Sequence, residues 1–186
     1  YKRQYEKRFE LATSLERWNR MLGDPVLMGR LWALYGFKPA YEIREEKGVY
    51  HVIDPTGIEG ELSEMETSPR HRIYAGKGKM KNWFVPVSLR GRALFILRHT
   101  GSSGRVSCVL EIYGEGGDDL VSKVLLKVVS PLLRRYIDRR VTRNLRDLKI
   151  IIDDMERNPR YVRSLLDEEY SAAFDRLVGG DAASSE

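Results

Sequence analysis

The sequence has a single cysteine, Cys108, among its 186 residues. That excludes an internal disulfide and any cysteine-rich metal site, and it leans toward a reducing compartment. A lone thiol within an alternating strand pattern reads as a small apolar residue rather than a nucleophile. Histidine is nearly as scarce: His51, His71 and His99 are dispersed over separate strands or turns and lack the two-His helical spacing of a hydrolytic zinc site. His51 and Asp54 stand three residues apart in a strand, so alternation sends them to opposite faces. No apolar run reaches membrane-spanning length. A phosphate-binding glycine loop is also missing, because Gly76-Lys77-Gly78-Lys79 has neither the spacing nor the following helix. No metal and no cofactor are therefore expected. There is no internal repeat, and no low-complexity tract outside the small, polar end from Gly179 to Glu186, which is expected to be disordered.

Hydrophobic content of 42% against 32% charged residues, with the signs intermixed, suits one soluble folded domain large enough for a core and an internal cavity. The net charge of +5 is modest but concentrated on one predicted helix, which points to anionic partners. The chain starts at Tyr1 rather than Met, so a targeting segment upstream of it would fall outside this reading.

The charge-bearing helix spans Asp119 to Met155. Val121, Val124, Leu125, Val128, Leu132, Tyr136, Val141, Leu145, Leu148, Ile152 and Met155 recur at three- and four-residue steps and form a stripe that must be buried. Pro131 is expected to kink the axis. The other face carries Arg134, Arg135, Arg139, Arg140, Arg143, Arg146 and Lys149 against Asp138 and Asp147, a cationic bar.

Ahead of that helix the pattern predicts a strand over Tyr1–Thr13. A short helix capped by Ser14 runs to Leu22, and a second one is capped by Asp24 with Pro25 in its first turn. From Tyr41 the period changes to two. Strands are predicted over Tyr41–Glu45, Val49–Asp54, Ile58–Met65, Arg72–Met80, Val85–His99 and Arg105–Tyr113, joined by turns at Glu46-Lys47-Gly48, Asp54-Pro55-Thr56-Gly57, Ser68-Pro69 and Gly101–Gly104. Gly76 and Gly78 alternate where a strongly bent sheet needs relief from crowding. A last amphipathic segment runs from Arg160 to Leu177, free to pack on its own chain, cover a pocket mouth or meet another subunit.

The strand Phe9-Glu10-Leu11 running into Ala12-Thr13-Ser14-Leu15-Glu16-Arg17-Trp18, the Gly23-Asp24-Pro25 break, Gly114 to Gly117 before the long helix, and Leu145 and Leu148 near its end together form a pattern. This pattern resembles the START-like, or Bet v 1-like (SRPBCC), superfamily, which includes polyketide cyclase-like and coenzyme-Q-binding-like proteins. The resemblance implies an α+β helix-grip fold: a curved antiparallel sheet of six to seven strands wrapped around a long C-terminal helix, with two short helices after the first strand. The resemblance covers roughly residues 5–155; the chain divides into that domain over residues 1–157, a helical extension over 158–178 added to the family pattern, and the tail over 179–186. It also implies an apolar cavity between sheet and helix that holds a lipid, quinone, sterol or polyketide-like molecule.

Candidate lining residues are Trp32 and Tyr35 from the second helix and Tyr50, Val52, Tyr74, Trp83, Phe95 and Leu97 from the strands. Val124, Leu125, Val128 and Leu132 would complete the lining from the long helix. Residues of these types at these spacings also suit an ordinary core. Three functions follow. The first is a non-enzymatic carrier or sensor of a hydrophobic small molecule, cytoplasmic and peripheral to a membrane. The second is a polyketide cyclase-like or dehydratase-like enzyme, for which a cavity-facing carboxylate is needed; Glu59 and Glu61 are expected on one face of their strand and Glu64 and Glu66 on the other. The third is an interaction module that sets the basic helix on an anionic membrane, protein or nucleic acid. Nucleic acid is the least favoured of these, because only Tyr136 interleaves an aromatic ring with the cations.

Overall fold

In the computed structural model, the described backbone covers residues 2–82, 85–102, 104–116 and 120–179, and the described side chains are those of 5–81, 90–101, 104–115 and 134–179. Strand β1 (Lys2–Leu11) leads into helices α1 (Leu15–Gly23) and α2 (Pro25–Leu34). Both helices start where the sequence supplies a cap. The Ser14 hydroxyl accepts from the amide of Arg17 at 3.1 Å, and Asp24 accepts from the amide of Leu27 at 2.9 Å, each satisfying an amide that the first turn leaves open. Strands β2 (Glu42–Glu46), β3 (Val49–Asp54), β4 (Ile58–Ser68), β5 (His71–Asn82), β6 (Val85–Ser102) and β7 (Arg105–Gly116) follow, then α3 (Leu120–Arg157). α3 runs unbroken through Pro131.

The seven strands form one antiparallel sheet in the order β1-β7-β6-β5-β4-β3-β2. The first strand thus pairs with the last, and the hairpins between them build outward to β2. Its inner face is fixed by contacts with α3. Tyr5 of β1 donates to Asp138 at 2.9 Å, Lys7 reaches Thr142 at 3.0 Å, and Asp54 of β3 pairs with Arg140.

The core lies at one end of this grip. Leu11, Leu97, Val106 and Cys108 from the sheet meet Trp18, Met21, Leu27 and Leu31 from the short helices, and Ile151, Ile152 and Met155 from the last turns of α3. The segment beyond α3 is part of the same core. It divides into α4 (Pro159–Ser164) and α5 (Glu168–Gly179). Val162, Leu166, Phe174 and Leu177 are all buried, and α5 packs on α1, α2 and α4. The expected disorder of the tail lies outside the described residues, apart from Gly179, which ends α5.

Candidate functional site

The inner face changes character along the strands. Toward the core end it carries Leu97 and Leu110, then Phe95 and Ile112. Farther out, the cross-strand row Tyr50, Leu62, Gly76, Ala93, Gly114 is followed by the row Val52, Gly60, Gly78, Gly91, Gly116. Four glycines thus stand side by side on β4, β5, β6 and β7. A methyl group built on Gly78 would come within 2.6 Å of the Glu59 carbonyl oxygen, and one on Gly91 within 2.9 Å of that of Glu115. Both obstacles are backbone, which cannot swing aside. The row is therefore a bend line along which the sheet curls more tightly than Cβ atoms permit. A depression of about 750 Å³ lies along it, lined by three consecutive residues from each of β3 to β6 and by Glu115.

The sheet's outer face opposite this row is charged. His51, Glu61, Lys77, Arg92 and Glu115 lie in cross-strand register, beside Ile53, Glu59, Lys79 and Arg90. Lys77–Glu61 and Lys79–Glu59 are ion pairs, each at 2.8 Å, and the Lys77 hydrogen bond holds the Glu61 carboxyl below its usual range. These two carboxylates face outward. Glu64 and Glu66 do not share a face as alternation predicts, because a bulge at Met65 adds a residue between them. Glu64 turns inward to Arg72 at 3.0 Å, and Glu66 meets His71 at 2.8 Å outside.

The candidate cavity residues separate into three groups. Trp32 and Leu97 belong to the core, with Trp32 set edge-on to Phe37 and Tyr41 at 5.4 and 5.8 Å between centroids. Tyr35 packs against that core and donates to Asp154 of α3 at 2.9 Å; burial first, and this bond second, push its phenol up. Tyr50, Val52, Tyr74 and Phe95 lie together on the half-buried inner face at or beside the glycine rows. Tyr50 and Tyr74 have phenols raised chiefly by burial, so both are hydrogen-bond donors at neutral pH. Trp83 lies outside the described residues, as do the side chains of Val124, Leu125, Val128 and Leu132.

Arg140 departs from the cationic face on which the sequence places it. Its guanidinium turns inward and pairs with Asp54, whose side chain is 3% exposed, while donating to Thr56 at 3.0 Å, the Tyr136 hydroxyl at 2.7 Å and the Tyr41 hydroxyl at 3.1 Å. The Tyr41 and Tyr136 rings stand 5.4 and 5.8 Å from it, and Asn144 donates to the Tyr41 hydroxyl at 2.7 Å. Asp54 also accepts from the amide and hydroxyl of Thr56, each at 2.8 Å. The cluster clips the β3–β4 turn to the middle of α3. A signal for it is present in the sequence: Tyr136, Arg140 and Asn144 are spaced by four, so they share a stripe distinct from that of Arg135, Arg139 and Arg143. The other six basic positions, Arg134, Arg135, Arg139, Arg143, Arg146 and Lys149, are exposed.

A second buried polar group faces α1. Arg72 donates to the carbonyls of Leu22 at 3.2 Å and Asn19 at 3.0 Å, placing a cation at the negative end of that helix. Next to it, His99 is 2% exposed, shares a hydrogen bond at 3.0 Å with the Asn19 side-chain oxygen through Nε2, and leaves Nδ1 buried with no hydrogen-bond partner among the described residues. Burial, reinforced by the Arg72 charge, lowers its pKa from the ordinary 6.5. The unfolded chain therefore binds a proton more readily than the folded one. Stability is expected to be complete above pH 6.5 and to fall as the pH drops below it, and His99→Gln should flatten that part of a urea-midpoint profile. A profile unchanged by the substitution would show that His99 does not carry the dependence. Burial likewise pushes the Cys108 thiol up to about 12, which leaves it unreactive at neutral pH.

No protein-family model and no curated protein matches the sequence. Solved structures do match. A conserved protein from Geobacillus kaustophilus superposes with a TM-score of 0.53 at 13% identity, over 81% of this chain and 95% of that one. XoxI from Bacillus cereus gives 0.51 at 13% identity, over 83% and 98%. A START superfamily protein from Mycobacterium smegmatis gives 0.52 at 6% identity, over 83% and 99%. At such identities the likeness concerns the fold alone. The fold is START-like: a curved antiparallel sheet, two short helices after β1, and a long C-terminal helix. Among the described residues, no helix is long and apolar enough to cross a membrane.

Proposed function

We propose that this START-like chain binds one hydrophobic small molecule between the glycine-floored part of its sheet and the first half of α3. The observation that carries this reading is the split inner face. Large side chains fill the core end, whereas farther out β5, β6 and β7 present Gly76, Ala93 and Gly114 and then Gly78, Gly91 and Gly116, before the row of Ile58 and Met80. α3 begins at Leu120, a short step beyond Gly116, so its first turns start at the bare end of the sheet. In sequence those turns carry Val124, Leu125, Val128 and Leu132, the apolar residues proposed for the lid. Tyr50, Val52, Tyr74 and Phe95 supply the walls, and the Tyr50 phenol can donate to a polar group on an otherwise apolar ligand, while the Tyr74 hydroxyl donates to the Leu22 carbonyl at 3.4 Å. Removing ligand surface from water contributes roughly 25 cal/mol per Å², offset by the loss of ligand freedom.

Ala93→Phe tests the reading. Ala93 lies in the row beside the bend line, and a phenyl ring there occupies the proposed ligand space without forcing a glycine backbone. Uptake of Nile red, an uncharged apolar probe, is expected to fall at least about tenfold, roughly 1.4 kcal/mol of binding, while the urea midpoint stays close to wild type. If α3 instead packs directly on the glycine floor, the wild type takes up no probe and Ala93→Phe destabilises the fold by about 1–3 kcal/mol through overpacking.

A further inference from the structure

The exposed ridge of α3 is a surface that the cavity does not use. Arg135, Arg139, Arg143, Arg146 and Ile150 follow one another at steps of four, four, three and four, so they line one face over about 22 Å at 1.5 Å per residue. Arg134 and Lys149 flank it. Arg135, Arg139, Arg143 and Lys149 have no hydrogen-bond or ion-pair partner among the described residues, whereas Arg146 is paired with Asp147. The one carboxylate low on the ridge is already neutralised: Asp138 accepts from Tyr5 at 2.9 Å and Lys7 at 3.1 Å, and these two bonds hold its carboxyl below the usual range. With Arg140 turned inward, the cations that remain outside all face solvent.

The charged row ends in apolar surface. Ile150 is 42% exposed, and on α4 Tyr161 is 49% exposed. One turn beyond Ile150, Asp154 accepts from Tyr35 at 2.9 Å, and α4 packs directly on α3. Solvated helix faces do not need an exposed isoleucine and tyrosine at the end of a guanidinium row. A bilayer surface does suit them, since cations meet the anionic headgroups while an aliphatic chain and a phenol settle at the level where headgroups meet acyl chains.

We infer that the α3 ridge docks the protein on the surface of an anionic lipid bilayer, with Arg135, Arg139 and Arg143 on the headgroups and Ile150 and Tyr161 entering the interface. This docking does not depend on a ligand in the cavity. The test is co-flotation of the purified chain with phosphatidylcholine vesicles, with and without phosphatidylserine. Binding is expected only where phosphatidylserine is present, weakening with added salt and by about fivefold for each ridge cation removed. Arg139→Glu/Arg143→Glu should abolish it. Arg70→Glu/Arg105→Glu carries the same change of charge on exposed hairpin residues away from α3 and should bind as the wild type does. Ile150→Ser should weaken vesicle binding at every salt concentration, including that at which the electrostatic part is screened. The inference is overturned if phosphatidylserine vesicles do not retain the chain, if the ridge and hairpin variants bind equally, or if short RNA or DNA duplexes bind the ridge more tightly than the vesicles do. Melting temperatures close to wild type in both double variants show that lost binding is not lost folding.

Discussion

Phe174→Ala is expected to cost about 3–5 kcal/mol of stability, and a chain ending at residue 157 is expected not to fold. Phe174 is 1% exposed and stands among Leu166, Leu177 and Val162, with α1 and α2 on the far side. Removing the ring leaves a cavity whose walls belong to four helices and cannot collapse far. Ending the chain at 157 strips four buried side chains from the core at once and exposes Leu27, Leu31 and Met21 to water. Domains of this size are stable by about 5–15 kcal/mol, so neither loss is minor. Urea denaturation of Phe174→Ala, read beside Tyr161→Ala on the exposed side of α4, measures the effect. A midpoint for Phe174→Ala no lower than that of Tyr161→Ala would place α4 and α5 outside the cooperative unit.

Arg140→Ala should be nearly as damaging, at about 3–5 kcal/mol. The loss comes chiefly from what is left behind: Asp54 is 3% exposed on its side chain and would keep a buried charge with only Thr56 to answer it. Tyr41 and Tyr136 lose their cation at the same time. Removing both charges in Arg140→Met/Asp54→Asn should therefore destabilise by much less than the sum of the single changes, because no unpaired charge remains. Additive single and double effects would mean that the pair is solvated and that the β3–β4 turn is held to α3 by other contacts.

These effects also show what the amino-acid sequence could and could not reveal. Ser14 and Asp24 announce the starts of α1 and α2 because capping is a local matter, settled by a side chain and an amide three residues away. The strands from β2 to β7 are legible from their period, and the long helix from its apolar stripe. The break of the last segment at 165–167 has a local signal that its amphipathic pattern hides: Asp167 opens α5, with Glu168 and Glu169 in its first turn. Arg140 could not be separated from Arg139 by composition, only by asking which helical stripe each occupies. The glycine floor is the most instructive case. Gly76 and Gly78 suggest a bend within their own strand, but Gly60, Gly91 and Gly116 join them only through cross-strand register, which depends on hairpin geometry and on the bulge at Met65. Trp32 and Leu97, named for the cavity by residue type, lie in the core cluster at the end of the grip that the short helices cover.

The measurement that bears most directly on the central claim is native mass spectrometry of gently purified protein, followed by organic extraction and identification of what is released. One apolar molecule per chain, retained by the wild type and absent from Ala93→Phe, is the expected result. Bare wild-type protein that also takes up nothing from a mixed library of lipids, quinones and polyketides would contradict the account, and would mean that α3 closes on the glycine floor with no room between them.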